Sequence, residues 1–221
     1  MGKNKLKRFA ENETFPHVFQ PHMVFPQPDH ALKGRWRPDF FKNDNPITLE
    51  LGCGRAEYTV ALSSLFSDRN FIGIDWKGAR IWRGAKTTVE SGQVNVAFLR
   101  ILISSIEAFF SKEDKVNEIW ITFPDPQPRD SREHKRLTSP EFLTRYRSFA
   151  TEDCVIHLKT DSRLMYDYTL QVIADQGLDI QAMTDDLYSS GLADEVRSIK
   201  TTYEKIWLSQ GSKIKYVRFV L

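Results

Sequence analysis

The pattern of apolar and polar positions divides the chain near residue 46. Before it, the stretch FPHVFQPHMVFPQPDHALKGRWRPDFF is rich in Pro, Phe, His and charge. No period of 2 or 3.6 survives there for more than a few residues. Residues 1–46 are therefore expected to be a partly ordered arm, with aromatics packed on the domain and the first ten residues loose. From Ile47 a regular alternation begins and continues through residue 221 as one domain. ITLEL reads as a short strand running into Gly52-Cys53-Gly54, followed by a helix with Tyr58, Ala61, Leu62, Leu65 and Phe66 at helical spacing.

Further units follow in the same rhythm. Asn70–Ile74 is a strand ending at Asp75, and a basic helix with Arg80, Arg83 and Lys86 leads to a strand over Val94–Leu102. A short helix around Ile106–Phe110 precedes a strand at 118–123. Ser139-Pro140 opens a helix as an N-cap with proline at the first helical position. Cys154–Leu158 is a strand, Thr160-Asp161 caps a helix ending at Gly177, and Leu178–Thr184 is another strand. Thr201-Thr202-Tyr203-Glu204 fits a capping box, and Lys215–Leu221 closes the chain as a strand. Alternating strands and helices predict an α/β fold, a mostly parallel doubly wound sheet with a final antiparallel strand.

Composition narrows the function. The 221 residues are 41% hydrophobic and 27% charged, with no apolar run of membrane-spanning length. Two distant cysteines, Cys53 and Cys154, offer neither a disulfide framework nor metal-ligand spacing, so a cytoplasmic protein without a metal site is expected. Net charge is only +2, yet cations cluster at residues 1–10 and again at 129–136. Basic patches on a near-neutral body fit nucleic-acid binding at one face, and a solvated charged loop has the same composition.

The candidate chemistry gathers at strand ends. Asp125 follows the strand containing Ile119, Trp120 and Ile121 and is flanked by Pro124 and Pro126, which remove backbone freedom and donors. Such strand-end loops are where open α/β sheets bind ligands. Gly52-Cys53-Gly54 lets backbone approach a ligand, but Glu57 stands where a dinucleotide fingerprint wants its third glycine, and Glu50 adds a second acid. An acidic loop of this kind disfavours a pyrophosphate and suits the cationic cofactor S-adenosylmethionine. Asp75, 21 residues beyond Gly54, is placed to accept both ribose hydroxyls of an adenosine, although an aspartate capping the next helix has the same appearance. Asp161 and Thr201–Glu204 read first as helix caps, Cys53 as a small packing residue, and His134 as a phosphate neighbour.

The segments LELGCGRAEY, GID, FPDPQPRDSREHKRLTSPEFL, HLKTD and TTYE, in this order, resemble the tRNA (guanine-N7-)-methyltransferases over Thr48–Leu221. The resemblance implies a Rossmann-like fold and methyl transfer from S-adenosylmethionine, leaving S-adenosylhomocysteine, to N7 of a guanine in the tRNA variable loop. It makes Asp125 the catalytic aspartate at the junction of cofactor and guanine. Glu50, Gly52, Cys53, Gly54, Asp75 with Trp76 beside it, Leu102 and Asp125 would hold the cofactor. Arg129, Arg132, His134, Lys135, Arg136, Asp161, Thr201, Thr202, Tyr203 and Glu204 would meet the substrate. Beyond tRNA no obligate protein partner and no membrane is expected, and a monomer or homodimer fits.

The sequence departs from the family pattern at four places. Ala56 replaces the last glycine of GxGxG, a change expected to be mild. Leu102 stands where an acid is frequent, so an adenine contact there must come from backbone. Gln127 replaces a tryptophan after Asp-Pro, and Asp130 and Ser131 interrupt the basic run. Other readings are a methyltransferase for another RNA site or a small molecule, and a non-catalytic RNA-binding module.

Overall fold

The computed structural model describes residues 3–192 and 197–221. Its centre is an eight-stranded sheet of β1 (Val18–Phe19), β2 (Ile47–Leu51), β3 (Asn70–Ile74), β4 (Val96–Leu99), β5 (Val116–Thr122), β6 (Ala150–Thr160), β7 (Ile180–Thr184) and β8 (Lys215–Val220). The strand order is β1-β4-β3-β2-β5-β6-β8-β7. Pairing is parallel from β1 through β6, while β8 is antiparallel to both neighbours. The sheet is thus the expected one, and β8 enters between β6 and β7.

Alternation along β2 shows how the two faces are built. Ile47, Leu49 and Leu51 enter one core with Ile72, Ile119 and Ile156. Thr48 and Glu50 point to the other face and are also buried. That second face packs Tyr58, Leu62, Phe71, Ile81 and Trp120 together. Helices α2 (Glu57–Leu65) and α3 (Gly78–Glu90) follow β2 and β3; α4 (Pro140–Arg147) and α5 (Arg163–Asp175) flank β6; α6 (Thr202–Ser209) precedes β8. The chain moves outward from β2 through β3 to β4, then crosses back to β5 on the other side of β2. The switch point between β2 and β5 opens a crevice at the carboxyl ends of the strands.

Several boundaries differ from expectation. From Lys3 onward the expected loose start is a helix: α1 (Lys3–Asn12) lies against α3. Asn12 Nδ2 donates to the Gly78 carbonyl at 2.9 Å, and Trp82 Nε1 donates to Glu11 at 2.8 Å. These partners lie far away in sequence, where periodicity cannot see them. The following aromatics settle around Trp36, whose ring meets Phe19, His30, Phe40 and Phe110. Asp114 pins this segment by accepting from the Gly34 and Trp36 backbone N–H groups. Thr160-Asp161 does not cap α5, because β6 runs through Thr160; Ser162 is the cap and accepts from Met165 N. Ser139 and the Thr201/Glu204 capping box sit as expected.

Candidate functional site

Beyond β2 the chain turns through Gly52 (φ 74°), Gly54 (φ 57°) and Ala56 (φ 58°). Gly52 and Cys53 N–H both donate to the Ile74 carbonyl at 2.8 and 2.9 Å. Gly54 N–H donates to Asp75 Oδ2 at 2.9 Å, and Lys77 N–H to Asp75 Oδ1 at 2.6 Å. Asp75 therefore ties the glycine turn to the end of β3, as well as capping the next segment. A side chain at Gly52 would meet nothing within 4 Å, so the turn presents open backbone.

Ala56 is less innocuous than its size suggests. Its left-handed backbone costs a residue with a Cβ about 1–2 kcal/mol, which glycine would avoid. Compensation comes from Gly84 on α3, where an added Cβ would lie 2.6 Å from the Ala56 Cβ and 3.0 Å from the Arg55 carbonyl. Gly84 carried no signal in the sequence, since its role is the close approach of two distant segments.

The two acids that gave the loop its acidic character are engaged elsewhere. Glu50 is 3% exposed and accepts from Thr59 N (2.8 Å), Thr59 Oγ1 (2.5 Å) and Thr122 Oγ1 (2.9 Å). Burial pushes its carboxyl up to about 7, against the pull of these three bonds. Glu57 accepts from Thr202 N at 2.9 Å and Thr202 Oγ1 at 2.5 Å, joining α2 to α6. Burial also pushes the Cys53 thiol well up, as suits a packing residue.

Two cavities meet at Gly52. One, of about 530 Å³, is walled by Asp75, Trp76, Leu102 and Ile103 on one side and by His134, Lys135 and Phe142 on the other. Trp76 and Leu102 are 43% and 44% exposed, giving apolar walls to a cavity that Asp75 and Glu141 also line. The other, of about 90 Å³, lies among Gly52, Cys53, Gly54, Phe123, Thr201 and Tyr203. A further cavity of about 520 Å³, around Arg69, Glu118 and Asp153, opens where β5 and β6 begin, away from the strand-end loops.

The segment after β5 is held in an unusual conformation. Phe123 has φ 50° and donates its N–H to the Lys159 carbonyl at 2.8 Å; Gln127 has φ 44°. Asp125 Oδ1 accepts from Gln127 N–H at 3.0 Å, and the side chain is exposed. Arg136, expected to touch RNA, is instead 4% exposed. It donates from Nε to the Pro126 carbonyl and from Nη2 to the Gln127 carbonyl, each at 3.1 Å, and lies over the Tyr168 ring. A guanidinium can grip two carbonyls at once, and this one clamps the loop that carries Asp125. Arg129, Arg132, His134 and Lys135 are all exposed, and the last two also line the larger of the two cavities that meet at Gly52.

The remaining substrate-side residues separate into two groups. Asp161 follows β6 as Asp125 follows β5, and these strands pair in parallel with Thr122 opposite Lys159. Its carboxylate has no hydrogen bond or ion pair among the described residues. Thr201 and Tyr203 line the smaller cavity. Thr202 is bound to Glu57, and Glu204 is fully buried in an ion pair with Lys159.

A family model described as "Putative methyltransferase" matches residues 44–217. Among curated proteins, the tRNA (guanine-N(7)-)-methyltransferase of Bacteroides fragilis is 51% identical over 222 residues, covering 100% of this chain and 87% of that protein. Its namesake in Cytophaga hutchinsonii is 45% identical, covering 99% and 98%. Among solved structures, the 16S rRNA methyltransferase KamB superposes with a TM-score of 0.61 at 13% identity, covering 80% of this chain and 88% of that one. An antibiotic-related methyltransferase gives 0.58 at 17% identity, covering 82% and 89%. These two likenesses are of fold.

Proposed function

Because this chain belongs to the tRNA (guanine-N(7)-)-methyltransferase family, we propose that the strand-end crevice binds S-adenosylmethionine beside a guanine of the tRNA variable loop. What supports the reading is the gathering of the GxG turn, Asp75 and the loop after β5 at the carboxyl ends of the strands beside the sheet's switch point, where two cavities meet at Gly52. The chemistry of the walls fits the cofactor. Asp75, although bonded to two N–H groups, keeps oxygen lone pairs for ribose hydroxyls, and the exposed faces of Trp76 and Leu102 suit an adenine. Open backbone at Gly52 allows close approach. Glu50 and Glu57 support the turn from behind.

When bound, S-adenosylmethionine supplies an electrophilic methyl, and the guanine N7 lone pair forms the new C–N bond as the C–S pair returns to sulfur. Neutral N7 carries no proton, so no general base is required. The protein's task is positioning and stabilising the cationic charge that develops on the purine. Asp125 suits both: it is carried on a loop clamped by Arg136, and its outer oxygen is free to accept from guanine N1–H or the amino group. Asp161, Thr201 and Tyr203 would bound the guanine on the other side. Bringing a structured base there requires turning it out of its stack. A tRNA substrate and two free, buried cysteines support a cytoplasmic setting.

The test is methyl transfer from labelled S-adenosylmethionine to unmodified tRNA, followed by nucleoside analysis. Labelled 7-methylguanosine is expected, and Asp125→Asn, which retains an oxygen for the Gln127 N–H, should fold normally and lose most turnover. Label on a different nucleoside would discard the guanine-N7 assignment.

A further inference from the structure

A second cationic surface among the described residues stands apart from the 129–136 segment. It lies where α1, α3 and α6 meet. A groove of about 710 Å³ there is lined by Arg8, Arg55, Arg80 and Arg83, with Trp82 and Tyr203 among them, and its lining includes no carboxylate. All four arginines are exposed. Arg8, Arg55 and Arg80 are in no ion pair among the described residues, while Arg83 pairs with Glu90 at 3.3 Å; of the other nearby acids, Glu11 is engaged with Trp82 and Lys86 and Glu57 with Thr202. In the 129–136 segment, by contrast, Asp130 and Glu133 dilute the charge and Arg136 is buried.

We infer that this groove is the track for the tRNA backbone leading to the target guanine, an assignment that rests on the tRNA reading above. Three features argue for RNA rather than another anion. Arg55, Arg80 and Tyr203 line both the groove and the small cavity beside the glycine turn, so a strand lying in the groove leads directly to the crevice. Tyr203 is 52% exposed, offering a ring for a base to stack on. The Arg8 guanidinium is held 4.5 Å from the Trp82 ring centroid, so it is ordered before a phosphate arrives. Folding of α1 against α3 is what brings Arg8 into the row, which gives the N-terminal segment a function.

The experiment compares tRNA binding by the full-length protein and by an Arg8→Gln, Arg80→Gln, Arg83→Gln variant over a range of salt concentrations. Each lost phosphate contact lowers the slope of log K against log salt by about 0.7–0.9. The variant should lose about two units of slope and at least about tenfold in affinity at moderate salt, with its thermal midpoint unchanged. Tyr203→Ala should lose affinity with its slope intact. An unchanged slope in the triple variant of a protein that methylates tRNA would overturn the groove assignment alone. A wild-type protein that neither binds nor methylates tRNA would overturn the substrate reading with it. Transfer of the salt-sensitive binding to anionic lipid vesicles in place of tRNA would overturn the assignment as well.

Discussion

The Lys159 ammonium lies 2.7 Å from the Glu204 carboxylate, and both side chains are completely buried. The ammonium also donates to Tyr58 Oη at 2.7 Å and the Ile199 carbonyl at 3.2 Å, while Tyr188 Oη donates to Glu204 at 2.5 Å. The backbone carbonyl of the same lysine accepts from Phe123 N–H, where the Asp125 loop begins. One residue therefore joins α2, the start of α6 and the loop after β5. Burial holds the lysine's pKa below its ordinary value, and Glu204 offsets only part of that.

Breaking this pair from one side should be costly. Lys159→Met leaves a buried carboxylate without its cation and is expected to cost about 3–5 kcal/mol. Adding Glu204→Gln, which removes the unpaired charge and retains one acceptor oxygen for either the Tyr188 hydroxyl or the Thr201 N–H, should return a substantial part. Urea unfolding of the two variants checks this; equal losses would show that the charge pairing is not the source.

Glu50 should make stability depend on pH. Its folded pKa of about 7 exceeds the ordinary 4.5, so between these values the native state holds a proton that the unfolded chain gives up. Unfolding free energy therefore falls as pH rises through that window. Between pH 5 and 7 the wild type should lose about 2 kcal/mol relative to Glu50→Gln. Parallel stability curves for the two proteins would contradict the assignment.

Arg136 and Lys135 are neighbours with different expected signatures. Arg136→Ala releases the Pro126 and Gln127 carbonyls and should reduce turnover at saturating tRNA about tenfold or more, with the salt slope of binding unchanged. Lys at this position should restore only part, because it lacks the two-pronged geometry. Lys135→Ala should chiefly weaken cofactor binding if its position on the larger cavity governs its role. Steady-state kinetics with salt-dependent binding separates the cases.

Trp76 should matter to the cofactor and little to the fold, since it is nearly half exposed. Trp76→Ala is expected to weaken S-adenosylmethionine binding by about 1 kcal/mol, roughly fivefold. Calorimetric titration against the wild type measures this, with unfolding midpoints as the control.

The sequence by itself determined the layered α/β fold, because strand and helix periods are local and each element repeats its period several times. It also located the GxG turn, Asp75 and Asp125, since strand-end loops carry compact signals in glycine, proline and acid. Which groups face a ligand was decided only by tertiary structure. Glu50, Glu57, Arg136 and Glu204 were legible as charges, but their partners are Thr59 and Thr122, Thr202, the Pro126 and Gln127 carbonyls, and Lys159. A buried charge must be satisfied by whatever the fold brings beside it, and those groups come mostly from other elements. The same holds for Gly84 against Ala56 and for α1 on α3. Periodicity describes each segment's own geometry; proximity between distant segments is set when the sheet closes its two cores, and the charges left facing solvent are known only then.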